Sequence, residues 1–223
     1  MSDMKKQELH FLVENMGRRY SEVLGINLDN GDDGEIFKWF LAAVLFGAPI
    51  TESSVLKTYR RFEERCVLTP IKIVEAGWDG LVKILDEGGY TRYDFKTAHK
   101  LSRVMGNLIA KYDGSLNLLH REAADSVDLE KRLKELGKGL GDVTISIFLR
   151  ELRSVWSKAD PKPTALVILA AKNLGIVEDE SPRRALIELK DFWRRNAVEG
   201  KLFVNFETAL LRVGKQSRRS RQH

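Results

Sequence analysis

Cysteine is nearly absent, with Cys66 alone in 223 residues. That excludes a disulfide scaffold, an all-thiolate zinc site and a four-cysteine iron–sulfur cluster. Histidine is scarce too, and neither His99 nor His120 has a partner at metal-ligand spacing, so no metal is expected. Long hydrophobic runs are missing. The longest, residues 36–50, is interrupted by Lys38, Gly47 and Pro49 and cannot span a bilayer. The stretch from Met1 to His10 is charged and polar, without the apolar region of a secretion signal, so the expected location is cytoplasmic and no membrane partner is expected. No segment shows sustained strand-type alternation, and there is no internal repeat or low-complexity tract.

What is present is ordinary globular composition, 43% hydrophobic and 31% charged, which rules out disorder over most of the chain. The length suits one domain or two small lobes. A net charge of +5 and a pI near 9.2 permit a polyanionic partner without establishing one. Helical periodicity dominates. Ala98, Leu101, Val104, Met105, Leu108, Ile109 and Tyr112 recur every three or four residues, with His99, Lys100, Arg103 and Lys111 between them. Leu129, Leu133 and Leu136 mark a second helix, and Ala165, Leu166, Leu169 and Ala170 a third. Residues 35–46 are apolar nearly all round, which predicts a central helix. Thr51 and Glu52 open another, whose polar face carries Lys57, Arg60 and Arg61. The fold class is therefore all-α, with roughly ten helices. Cys66 falls on an apolar side and is expected to be buried. The tryptophans, including Trp78, are expected to pack. The Lys/Arg/Ser-rich tail from Gly214 to His223 has no apolar face and is expected to be mobile.

Residues 133–152 carry the most information. An amphipathic helix ends near Leu136, Gly139 and Gly141 flank Leu140, and a second helix follows at once. This is the pattern of a helix–hairpin–helix. Glycines let the backbone turn and approach a ligand closely, and the amides opening the second helix lack intrahelical partners and suit a phosphate. Leu140 would plug the two helices, and Lys138, Gly139, Leu140, Gly141, Val143 and Thr144 are the DNA-binding candidates at the turn. Asp142 places a negative charge where it would cap the helix and compete with an anion. The other reading of the segment is a plain αα-turn with a glycine C-cap.

At these residues the sequence resembles the helix–hairpin–helix-GPD superfamily of DNA glycosylases, the endonuclease III-like and 3-methyladenine glycosylase-like proteins. Phe37 to Val55 is similar to the family's opening helix, loop and next helix start. Gly89 to Ala98 resembles its glycine–aromatic segment, Gly139 to Leu149 its hairpin, and Asn173 to Gly175 the end of the helix after its catalytic aspartate. The resemblance implies a two-lobed helical fold, with one lobe over 35–154 ending in the hairpin and the other combining 1–34 with 155–223. It implies a monomer acting on damaged double-stranded DNA by extruding a nucleotide and cleaving its glycosidic bond.

By the same resemblance Asp160 is the candidate catalytic aspartate, although counting back from Gly175 lands on Thr164. Apart from the resemblance, Asp160 reads as a turn or cap residue. The bifunctional relatives carry a Schiff-base lysine where this chain has Val143, so the expected activity is monofunctional and hydrolytic. In the opening loop Pro49 occupies the place of a glutamine that fills the gap left by a flipped base, which makes it the candidate wedge. Tyr93, with Tyr90, is a candidate to line the base pocket or to pack. No iron–sulfur cluster is implied, and the hairpin carbonyls are of a kind that can hold a monovalent cation. Two alternatives stay open. One is a non-catalytic DNA-binding relative, favoured by the missing lysine and glutamine. The other is a helical interaction module without DNA binding.

Overall fold

The computed structural model describes residues 6–220, with side chains as far as Arg218. Twelve α-helices and no strand occur among them. Chain contacts divide into two compact units, Leu24–Asp160 and a second made of 1–23 with 161–223.

The first unit is built around α3 (Asp33–Phe46), in which every residue from Ile36 to Leu45 except Lys38 is buried. A helix apolar on all sides needs neighbours on all sides. Here α4 (Glu52–Glu64), α7 (Leu116–Glu122) and α9 (Asp142–Glu151) pack on it, and α5 (Pro70–Glu87), α6 (Asp94–Tyr112) and α8 (Ser126–Lys134) complete the unit. Helix starts follow local chemistry. Asp32, Thr51, Thr69, Ser115 and Asp125 each accept a hydrogen bond from an amide of the first turn, satisfying donors that have no intrahelical partner.

The unit extends past both boundaries expected from the sequence, 35 and 154. Leu24, Ile26 and Leu28 are buried apolar side chains. Asn117 ties the segment before α3 in place by donating to the Gly31 carbonyl at 2.9 Å, and Trp156 donates to Asn117 at 2.8 Å. Turn-like composition at 29–34 and 153–160 concealed these anchors.

Cys66 is exposed, which corrects the expectation of a core thiol. It follows the end of α4 with φ 55°, its amide bonds the Glu63 carbonyl at 2.9 Å, and the Val67 amide bonds that of Phe62 at 2.9 Å. This is a Schellman turn with cysteine at the left-handed position, so the side chain swings outward and the apolar duty passes to Phe62 and Val67. Trp78 is likewise part-exposed on α5, beside Phe95 and His99, while Trp39, Trp156 and Trp193 are buried.

The second unit comprises α1 (Lys6–Met16), the start of α2 (Tyr20–Leu24), α10 (Ala165–Asn173), α11 (Pro182–Asn196) and α12 (Phe203–Ser220). α12 packs on α10 and α1. The tail expected to be mobile is helical as far as Ser220, and residues 221–223 lie outside the described ones. Gly214 explains the difference. A methyl group there would fall 2.2 Å from the Leu166 carbonyl oxygen, so glycine permits α12 to cross close to α10. Lys215 donates to the Tyr20 hydroxyl at 3.0 Å one residue later.

Candidate nucleic-acid interface

The hairpin joins α8 to α9. Leu136 and Leu140 are buried and hold it to the unit, while Lys138, Gly139 and Gly141 are exposed. Gly139 has φ 97°, a conformation closed to ordinary L residues. Gly141 is the N-cap of α9 and has no side chain to satisfy the first-turn amides. The Asp142 carboxylate beside it is 89% exposed and pairs with Lys134 at 2.5 Å. Lys134 balances the negative charge foreseen at the helix start, and the opening turn of α9, which has no side-chain bond from its N-cap, lies at an exposed bend. Val143 is 60% exposed on that turn. Thr144 departs from expectation, for it is buried and faces Gly47, where a methyl group would lie 2.0 Å from its hydroxyl. Its hydroxyl is a packing group, withdrawn from the surface.

That contact brings the opening loop to the hairpin. The loop between α3 and α4 starts at Gly47 and carries exposed Pro49. Tyr90 docks on the same end of α3 by donating to the Leu45 carbonyl at 2.6 Å. It is buried, and burial raises its hydroxyl well above the ordinary tyrosine range. Tyr90 is a packing residue. Tyr93 is half-buried at the N-cap of α6, without a side-chain cap bond, and the Arg92 guanidinium lies 5.6 Å from its ring centre. Thus the hairpin turn, Pro49 and the 89–93 segment share the C-terminal end of α3.

Asp160 lies at the opposite end. α3 and α9 run antiparallel, joined by the Trp39 indole donating to the Phe148 carbonyl at 3.0 Å and by an edge contact of Phe40 with Phe148. Gly47 meets α9 near its start, whereas a methyl at Gly31, before α3, would touch Val155, beyond the end of α9. The 10 residues of α9 separate the hairpin from the 152–160 loop by about 15 Å along the helix. In that loop Asp160, 43% exposed, is ion-paired with the Arg153 guanidinium, whose own side chain is only 9% exposed. A buried guanidinium fixes the direction of the more exposed carboxylate. The Pro161–Pro163 stretch that follows leads to Thr164, the N-cap of α10, which accepts from the Val167 amide at 3.5 Å. Thr164 serves as a cap and carries no carboxylate.

Sequence reasoning passed over Arg153 and the anchor of its loop. Trp156 stacks on His120 at 4.7 Å between ring centres and 5° between planes, and Lys158 donates to the His120 carbonyl at 2.8 Å. The His120 Nε2 is buried without a partner, and burial, helped by Lys158, lowers its pKa. A depressed histidine favours the neutral folded state. Its contribution is complete above the unfolded value of about 6.5 and is lost as pH falls through the lower folded value. Wild type is therefore expected to lose more stability than His120→Phe between pH 7.5 and 5, measured by urea midpoints. Equal losses would show that titration of His120 does not contribute to stability. Among the described residues no three His, Cys, Asp or Glu side chains gather as a metal site. A groove of about 670 Å³ between His10 on α1 and Val198 contains none of the candidate residues.

The class that these features define is an all-helical fold in which a glycine hairpin enters a helix packed on a central helix buried over Ile36–Leu45 apart from Lys38. No protein-family model and no curated protein matches the chain. Among solved structures, it has the fold of the 3-methyladenine DNA glycosylase MagIII of H. pylori, bound in that crystal structure to 1,N6-ethenoadenine. The TM-score is 0.57, with 17% identity over 96% of this chain and 97% of that one.

Proposed function

We propose that this protein is a DNA repair glycosylase that removes a damaged base by hydrolysis. The observation that carries the reading is the exposed opening turn of α9 behind Gly139–Leu140–Gly141, where the N-cap glycine offers no side chain and two buried leucines hold the bend. Such a turn accepts a backbone phosphate and sets register without reading sequence. Asp160, about 15 Å away along α9, is the charged group assigned to the reacting sugar. As the bond between base and C1′ breaks, its electron pair leaves with the base, which gains a proton. The Asp160 carboxylate stabilises the positive charge on the sugar, and water adds to C1′ and gives up a proton. Val143 supplies no amine for a Schiff base, so the strand stays intact. Pro49, exposed beside the hairpin, is the wedge that enters the stack.

The test is base release from duplexes each carrying one lesion: uracil, hypoxanthine, 3-methyladenine, 8-oxoguanine or thymine glycol. Release that leaves an alkali-labile strand is expected on at least one. No release on any, with duplex binding that weakens as salt rises, would make the protein a non-catalytic DNA binder. No binding at all would make it a protein-interaction module.

A further inference from the structure

A row of cations stands beside the hairpin on α6. Lys96, Lys100 and Arg103 recur at helical spacing on one face. Three contacts fix that face against the hairpin. A methyl group at Gly139 would lie 3.1 Å from the Lys100 Cε, one at Gly137 would lie 2.7 Å from Val104, and Asn107 donates to the Leu136 carbonyl at 2.8 Å. The order of these contacts places Lys96 one turn beyond the glycine bend. Lys96, Arg103 and Lys138 are exposed and Lys100 is half-buried.

None of these four side chains has an ion pair or hydrogen bond among the described residues, whereas Lys134 and Arg132 of neighbouring α8 are committed. Lys134 holds Asp142 at 2.5 Å, and Arg132 holds Asp128 at 2.8 Å. Burial, with Lys96 adding to it, holds Lys100 below the ordinary lysine range. A half-buried ammonium beside a like charge is unfavourable alone and becomes favourable when an anion arrives. From Lys96 to Arg103 the helix advances about 10 Å, and three successive phosphates of one strand span about 7 Å of rise at 3.4 Å per step, a difference that long flexible side chains can close.

We propose that Lys96, Lys100 and Arg103 bind successive backbone phosphates of a DNA duplex, with Lys138 at the bend, so that α6 supplies much of the electrostatic affinity and the hairpin supplies register. The assignment rests on the duplex-binding reading above. The sequence reading placed its DNA-binding candidates at residues 138–144, on the hairpin itself.

The experiment is fluorescence anisotropy of an undamaged labelled duplex with the full chain, titrated between 50 and 200 mM salt (about the range where phosphate contacts dominate). The variants are K96Q/R103Q, both exposed positions, K96Q/K100Q/R103Q, and K83Q as an exposed α5 control. Each lost phosphate contact lowers the slope of log affinity against log salt by about 0.9. The double variant is expected to lose about two units of slope, the triple variant about three, and K83Q none. A wild-type slope in the double and triple variants, or an equal loss in K83Q, would overturn the assignment while leaving duplex binding intact. Failure of the wild-type protein to bind duplex at all would instead remove the reading on which it rests.

Discussion

Asp160→Asn is expected to lower single-turnover base release at least about 100-fold while leaving affinity for undamaged duplex within about twofold. Asparagine keeps the shape and an oxygen for the Arg153 guanidinium, so the 152–160 loop retains its anchor through Trp156, Asn117 and Lys158. What it loses is the negative charge that the developing sugar cation requires. Because that stabilisation is greatest in the transition state, the loss falls on the rate rather than on binding. Removing a negative charge near DNA also cannot weaken phosphate contacts. Parallel loss of release and binding would mean that Asp160 is structural. Unchanged release would place the reacting carboxylate elsewhere in the chain.

Phe148→Ala is expected to cost about 3–5 kcal/mol of stability, read from urea unfolding at neutral pH. Phe148 is fully buried in α9. Its ring meets Phe40 of α3 at 5.0 Å and Trp156 of the Asp160 loop at 5.5 Å, both edge-on. Truncation would leave a cavity between Phe40, on the fully buried stretch of α3, and Trp156, which His120 and Asn117 hold in place, so the site resists collapse. A loss below about 1 kcal/mol would show that α3 and α9 repack freely. The rigid spacing between hairpin and Asp160 would then be unsupported.

The elements that sequence reasoning found were those where one physical signal acts alone. An apolar run on all faces admits only a central helix, and α3 is one. Apolar residues every three or four positions over 97–112 give α6, and Gly139–Leu140–Gly141 gives the bend because few other sequences permit it. What stayed hidden depends on partners distant along the chain. Thr144 reads as a surface residue of a helix start until Gly47 is seen to lie against it. The basic tail reads as solvated until Gly214 is placed on Leu166. Cys66 reads as apolar because periodicity is extrapolated one residue past the point where α4 turns. Arg153 and Lys100 each looked like one more polar residue on a helix, and only tertiary contact shows that one orients Asp160 and the other lies across the hairpin glycine.

The central claim is that this chain breaks the bond between a damaged base and its sugar using water. It is tested most directly by product analysis after incubation with a duplex bearing one alkylated purine. Two products are expected, the free alkylated base and a full-length strand with an intact abasic sugar that breaks only on alkali treatment. A strand already broken before alkali would contradict the hydrolytic mechanism. Recovery of the unchanged duplex from a complex that the protein demonstrably forms, on this and every other lesion, would contradict the catalytic claim itself.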